Sequence, residues 1–381
     1  MPSSTSNSEN SQVRPGFVRL TASDRPGVAQ PVPERDIPAM PWGPIWLGAL
    51  ALLLVLFIGW EWHWRAFGAE PTYRNSDGQW AQQRRRIDHG EGGKTVLIGS
   101  SRVLFDVQLP VWEKALGERP IQLALEGTSP LPVLEDLAAD PDFTGRLLVG
   151  IAPDVFFTGF RYRGKVVDYT RKQGPSQRTG TWISQTLLEP YFAFYESDFA
   201  LGTVLERQAW PLRPGMTRDL HVRRLSVSAL DRNTRMWSKL VDDPAYAKLA
   251  QDTWAERFNG PPPPFIDTPE KLRKVIDEQI EKTAKAVAAL NARGVEVVFL
   301  RAPSNGGYYA FEQKVFPRET TWDALLRRTG APGIHFEDYP ELQGYALPEW
   351  SHLSASEADR FTAALAPLAE QEFNRLNTPG N

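Results

Sequence analysis

The sequence predicts an α/β domain built on a parallel sheet, preceded by one transmembrane helix and interrupted by a helical insertion. Three observations lead to this fold class: one long apolar segment near the amino terminus, five short apolar runs further along, and a stretch at about 161–264 where those runs stop. Short continuous apolar runs separated by helical sequence are typical of strands buried on both faces of a parallel sheet.

Composition excludes several classes of function. The chain has 381 residues, and 43 Lys and Arg against 46 Asp and Glu give a net charge of −3. Without a basic excess to neutralise phosphates, we expect no nucleic-acid partner. The chain has no cysteine, which removes thiol nucleophiles, disulfides and cysteine-based metal sites.

The amino-terminal part predicts a tail and a membrane anchor. Residues 1–40 are rich in Ser, Asn and Pro and lack apolar periodicity, so we expect a disordered tail. Residues 41–62 reach the roughly 20 apolar residues that cross a bilayer, with Trp residues at both ends. A cleaved signal peptide fits less well, because bulky Trp residues stand where small ones precede cleavage. Flanking Arg residues balance, so charge does not decide the orientation.

A polar connector at 63–93 leads into the α/β domain, predicted at 94–378. Its five predicted strands are Lys94–Ile98, Ile121–Leu125, Leu147–Ile151, Val295–Leu300 and Ile334–Phe336. The helix before the fourth strand begins with Thr268 as a cap and Pro269 in its first turn, and it ends at Gly294. The last helix has Ser354 and Glu357 at capping-box spacing. The insertion at about 161–264 carries scattered aromatic residues, and we expect it to be helical and to pack beside the sheet.

Two familiar site types fit the sequence poorly. Gly93-Lys94-Thr95 resembles the end of a phosphate-binding loop, but Asp88 stands where the first glycine belongs, and a strand follows where a helix is needed. The five histidines show no ligand-pair spacing. We therefore expect no cofactor and no metal.

A serine, a histidine and an acid lie where an open α/β sheet places its sites. Ser101 follows the first strand and Gly99, and Glu349 stands three residues before His352 in the loop that enters the last helix. A serine hydroxyl needs a base, and the imidazole needs an acceptor that holds its tautomer. The first and last loops of a parallel sheet can meet at its carboxyl edge. The alternative is two polar turns at strand ends.

These motifs resemble those of the SGNH (GDSL-type) hydrolase superfamily. LIGSSR is similar to its first block and implies Ser101 as nucleophile; LALEGTSP resembles the second and implies Gly127, with the Ser101 amide, in the oxyanion hole; EWSHLS resembles the last and implies His352 as base and Glu349 as acid. The resemblance implies a flavodoxin-like three-layer α/β/α sandwich.

The sequence departs from the family pattern at three places. Ser100 and Glu349 stand where the family has Asp, and VGIAPDVFF offers no clear equivalent of the third block's Asn. Loss of one oxyanion donor costs roughly 10²–10³ in rate. Gly99, Arg102 and Ser304 are candidates for supporting the site; the alternative is a catalytically silent domain.

The resemblance is more specific to single-pass, membrane-anchored bacterial members, whose linker is similar to WEWHWRAFGAEPTYRNSDGQW. It implies an inner-membrane protein with a cytoplasmic amino terminus and a periplasmic domain, acting as a serine esterase or O-acyltransferase on ester groups of cell-envelope polysaccharide. A membrane-bound acyltransferase is an implied partner. The alternative is a silent envelope protein that binds a glycan or such a partner.

Overall fold

The computed structural model describes residues 40–208, 210–211, 213, 215 and 220–377. Of the predicted tail at 1–40, all but Met40 lies outside the described residues. The first helix, α1, spans Trp42–Phe67 and extends beyond Trp62, the predicted end of the apolar segment. It is long and apolar enough to cross a membrane. The chain divides into two compact units whose boundary falls inside α1, between Ile58 and Gly59.

The second unit is built around a five-stranded sheet whose strands all run parallel. The predicted α/β class and its five parallel strands are therefore confirmed. The order is β2-β1-β3-β6-β7. Successive strands are therefore added on opposite sides of the boundary between β1 and β3, and doubly wound sheets form their ligand crevice at such a reversal of strand order. The strands of the protein are β1 (Val96–Ile98), β2 (Ile121–Gln122), β3 (Arg146–Gly150), β4 (Ser226–Ser228), β5 (Thr234–Met236), β6 (Glu296–Arg301) and β7 (Gly333–His335).

Helices cover both faces of the sheet. After α1 they are α2 (Asp77–Arg86), α3 (Ser101–Asp106), α4 (Leu109–Leu116), α5 (Leu131–Ala139), α6 (Pro153–Phe156), α7 (Val166–Lys172), α8 (Pro175–Leu187), α9 (Leu201–Glu206), α10 (Lys239–Asp242), α11 (Pro244–Asn259), α12 (Pro269–Asn291), α13 (Gly306–Val315), α14 (Trp322–Thr329) and α15 (Ala355–Asn377).

Alternate strand residues enter two separate hydrophobic clusters, as the two faces of a pleated strand require. Val149 and its neighbours pack with α5, α12 and α14, whereas Leu148 and its neighbours pack with α3, α4 and α15. The sheet is thus buried on both sides, which explains why its strands are continuous apolar runs.

The helix before β6 follows its sequence signals, but the last helix does not. The Thr268 hydroxyl accepts the Lys271 amide at 3.3 Å, and Gly294 adopts a φ of 80° after the helix. The capping box predicted for α15 is wrong. The Ser354 amide donates to Ala346 O at 3.3 Å, and Glu357 pairs with Arg360 at 2.9 Å.

The insertion contains a β-hairpin as well as helices, which corrects the all-helical expectation. Strands β4 and β5 form a two-stranded antiparallel sheet, and Arg232 in its turn has a φ of 68°. The Arg232 guanidinium donates to Gln122 O at 3.2 Å and to Ala124 O at 2.5 Å. These two bonds attach the hairpin to the β2 edge of the sheet.

Candidate active site

Ser101 lies where strand β1 ends at the carboxyl edge of the sheet. A Cβ on Gly99 would come within 2.6 Å of Val103 Cγ2 and 3.3 Å of Gly150 Cα, so this close approach requires glycine. Ser100 caps α3, its hydroxyl accepting the Arg102 amide at 3.4 Å. Ser101 is the first residue of α3 and is half-buried.

Glu349 and His352 form a buried hydrogen-bonded pair in the loop before α15. His352 Nδ1 lies 2.8 Å from Glu349 Oε1, and the His352 backbone amide donates to the same oxygen at 2.7 Å. The side chains are 0% and 3% exposed. A carboxylate that accepts from Nδ1–H keeps the proton on that nitrogen, so Nε2 is left with a free lone pair. Of the predicted site residues, these two are brought together.

The second oxygen of Glu349 is held by a residue of the insertion. Trp254 Nε1 on α11 donates to Glu349 Oε2 at 2.6 Å, and Gln251 on the same helix donates to Pro348 O at 2.8 Å. In the sequence, Trp254 is one of several aromatic residues scattered through the insertion. No local pattern marks it, because its partner is 95 residues away in the chain.

The His352 ring faces α3 but does not bond to Ser101. His352 Nε2 is buried and has no hydrogen-bond partner among the described residues. The ring packs on Phe105 with centroids 4.4 Å apart. Phe105 is four residues after Ser101, and such residues share one helical face. The imidazole is therefore on the Ser101 side of α3, without a hydrogen bond to its hydroxyl.

A second buried acid, Asp106, lies at the end of α3 beside this loop. Its Oδ1 accepts the Leu353 amide at 2.9 Å, whereas Oδ2 is buried without a hydrogen-bond partner among the described residues. Burial raises the pKa of Asp106 to about 7, although the Leu353 amide and the nearby Arg102 guanidinium oppose this shift. The run SRVLFD carries no motif, so Asp106 cannot be selected from its sequence context.

Arg102 and Ser304 are engaged with a buried glutamate, Glu312. Arg102 Nη2 lies 2.8 Å from Glu312 Oε1, and Ser304 donates its hydroxyl proton to Oε2 at 2.7 Å. Arg301 reaches the same Oε2 at 2.7 Å. Although burial opposes it, the two guanidinium groups lower the pKa of Glu312. The predicted supporting side chains Arg102 and Ser304 therefore both bind Glu312. Through Arg102, this ion pair holds the first turn of α3.

Gly127 lies in the loop after β2 with a φ of 54°, a left-handed conformation that glycine adopts without strain. Its carbonyl accepts the Tyr162 amide at 3.2 Å, which fixes the loop against the start of the insertion. Among the described residues its own amide donates to no group. That free amide is the feature an oxyanion donor needs.

A buried acid, Asp154, lies in the segment after β3, within the stretch VGIAPDVFF. Its Oδ2 accepts the Tyr308 hydroxyl at 2.8 Å. Burial, reinforced by the nearby charge of Glu312, raises the pKa of Asp154. No amide side chain occurs in this segment, so the segment supplies no side-chain amide donor for an oxyanion.

Comparison with known proteins gives no family assignment. No protein-family model matches the chain, and a search of curated proteins finds no significant match. We therefore infer the function from the geometry of the site.

Proposed function

We propose that the protein is a membrane-anchored serine esterase or O-acyltransferase in which Ser101 is the nucleophile, His352 the base and Glu349 the acid that holds the base. The observation that carries this proposal is the buried Glu349–His352 pair. Among the described residues, His352 Nε2 has no hydrogen-bond partner, and the imidazole packs on the face of α3 that carries Ser101 and Phe105. A buried imidazole nitrogen normally has a partner, and an incoming serine hydroxyl supplies one.

In the first step, the Ser101 hydroxyl forms a bond to the ester carbonyl carbon while its proton passes to His352 Nε2. Glu349 stabilises the resulting imidazolium through Nδ1–H. The amides of Ser101 and Gly127 bind the developing oxyanion. Collapse of the tetrahedral intermediate breaks the ester bond, and the leaving alcohol takes the proton from Nε2.

In the second step, an acceptor hydroxyl attacks the acyl-serine and gives its proton to Nε2. Water as acceptor produces hydrolysis, whereas a sugar hydroxyl produces acyl transfer. The proton then returns to Ser101 Oγ. The same residues serve both reactions, and neither requires a cofactor.

The strand order supports the proposed SGNH-type fold, and the long apolar helix α1 supports the proposed membrane anchor. A parallel sheet in the order β2-β1-β3-β6-β7, with a candidate site after β1, agrees with an SGNH-type sandwich. We propose a single-pass bacterial inner-membrane protein with a periplasmic domain, acting on cell-envelope polysaccharide together with a membrane-bound acyltransferase.

Ester turnover by the purified full-length protein tests this function. We expect p-nitrophenyl acetate to be hydrolysed by the wild type and by Ser100→Ala, the neighbouring serine, which serves as the matched control. Ser101→Ala should reduce turnover to background. Equal turnover by Ser101→Ala and wild type contradicts the assignment.

A second candidate is a catalytically silent envelope protein that binds a glycan or a membrane acyltransferase. The observation that favours it is the lack of a hydrogen bond between His352 Nε2 and Ser101. This candidate predicts that Ser101→Ala fully complements a deletion strain, and that the purified wild type shows no ester turnover. Loss of complementation in Ser101→Ala excludes it.

A further inference from the structure

Helix α8 packs on the domain through polar side chains and leaves its large apolar side chains exposed. Gln185 is buried and exchanges a 2.9 Å hydrogen bond with Gln82 of α2, and Thr181 contacts Gly78. The face opposite Gln185 carries Ile183, which is 41% exposed, and Leu187, which is 56% exposed, and Trp182 at the side of the helix is 60% exposed. A helix on a water-covered surface normally buries its apolar face.

The apolar residues continue beyond α8. Tyr191 is exposed in the turn after the helix, and Leu201 and Leu205 are exposed one turn apart on α9, whereas Val204 of the same helix is buried. We call the outward apolar surface the set Trp182, Ile183, Leu187, Tyr191, Leu201 and Leu205. Exposed large apolar residues grouped on two successive helices and the turn between them point to an interaction surface.

This surface adjoins the residues of α1 that follow the apolar span. The Glu61 carboxylate accepts the amides of Ala193 and Phe194, both at 3.1 Å. Arg65 Nη2 donates to Tyr191 O at 3.0 Å. The chain between α8 and α9 is therefore hydrogen-bonded to the turns of α1 where the apolar sequence ends.

The start of α9 is held by the same part of α1. Phe199 stacks on Trp64 with centroids 4.5 Å apart and an interplanar angle of 25°. Both rings are buried in a cluster that also contains Trp237 and Tyr246. Val204 of α9 is buried in the same cluster, so this cluster joins α9, with its exposed Leu201 and Leu205, to the end of α1.

We propose that the outward apolar surface lies in the interface of the bilayer that α1 crosses, so that lipid covers it. This inference depends on the proposal that α1 spans a membrane, but not on catalysis. Trp and Tyr residues concentrate at the boundary between headgroups and acyl chains, and amphipathic helices lie there with their apolar side about 5–10 Å deep. A surface joined to the end of a membrane span, and carrying these residue types, fits lipid better than water.

The chain has no cysteine, so a single introduced cysteine can be labelled at one position. The full-length protein, with one cysteine labelled by a nitrobenzoxadiazole fluorophore, is placed in phosphatidylcholine–phosphatidylglycerol nanodiscs at one protein per disc. The readout is fluorescence quenching by doxyl-labelled lipid. The test positions are Leu187→Cys and Leu205→Cys. Glu341→Cys is the exposed control, since it follows β7 at the sheet edge opposite β2, and Leu53→Cys in α1 reports on the span.

We expect quenching at Leu187→Cys and Leu205→Cys to exceed that at Glu341→Cys several-fold, with Leu53→Cys also quenched. Quenching at both test positions no greater than at Glu341→Cys, while Leu53→Cys is quenched, overturns the proposal. A blue-shifted but unquenched label at both positions also overturns it, because protein and not lipid then covers the surface. An unquenched Leu53→Cys overturns the membrane anchor itself.

Discussion

His352 Nδ1 and Glu349 Oε1 are 2.8 Å apart in a loop where both side chains are buried. The same carboxylate oxygen accepts the His352 backbone amide at 2.7 Å, so the acid fixes the ring through two atoms of one residue. This arrangement determines which ring nitrogen is free to accept a proton.

Glu349→Gln should leave the fold intact and reduce ester turnover by about 10⁴-fold, the size of effect seen when a triad acid becomes an amide. The amide lacks the charge that stabilises the imidazolium. Its nitrogen can also face Nδ1 and reverse the tautomer. The measurement is kcat on p-nitrophenyl acetate beside a thermal unfolding curve. A folded variant within about tenfold of wild-type kcat contradicts the role of Glu349.

Trp254→Phe should lower kcat by about tenfold, because Glu349 Oε2 loses its indole donor and a hydrogen bond to a charged group contributes roughly 1.5–3 kcal/mol. Trp182→Phe is the matched control, since Trp182 is an exposed indole of the same insertion. We expect the control to retain wild-type kcat. Equal effects of the two substitutions would show that Trp254 does not position Glu349.

Asp106 should make stability fall as pH rises from about 4 to about 7. Its pKa is raised to about 7 in the folded protein from a usual value of 3.8. In this window the folded state holds a proton that the unfolded state has released, so the free energy of unfolding decreases with pH. Asp106→Asn removes this slope and keeps an acceptor for the Leu353 amide.

The test is the unfolding midpoint of wild type and Asp106→Asn measured from pH 4 to pH 8. We expect the variant to gain stability relative to wild type as pH rises, by a few kcal/mol in all. Parallel pH profiles would show that Asp106 does not titrate in this range.

Gly99→Ala should destabilise the domain by about 1–3 kcal/mol, the usual cost of overpacking, and reduce activity with it. The new methyl would lie 2.6 Å from Val103 Cγ2, which pushes α3 and Ser101 away from β1. Gly180→Ala is the control, because nothing lies within 4 Å of its Cβ position on α8. We expect that control to be neutral or slightly stabilising. Thermal unfolding of both variants decides the point, and equal midpoints would contradict the close packing.

Sequence periodicity predicts the sheet because burial on both faces leaves a clear signal. The runs around Leu97, Leu148 and Val298 are mostly apolar, and each becomes a central parallel strand. The hairpin of β4 and β5 has no such signal. Its strands are three residues long and partly polar, and the long-range bonds of Arg232 to the β2 edge hold it in place.

In the candidate site, too, local sequence signals reveal some residues and long-range contacts place the others. Glu349 and His352 are three residues apart, so local spacing is enough to suggest the pair. Trp254 and Asp106 reach the loop only through tertiary packing, and Arg102 pairs with Glu312 from a distant helix. Side chains whose partners are far away in the chain cannot be selected from a single sequence by pattern alone.

A fluorophosphonate probe, with the modified residue identified by mass spectrometry, tests directly whether Ser101 is an activated nucleophile. We expect one adduct on Ser101, none on Ser100, no adduct in Ser101→Ala, and slower labelling in His352→Ala. An adduct that persists in Ser101→Ala, or a folded wild type that is not labelled at all, would contradict the assignment of Ser101 as nucleophile.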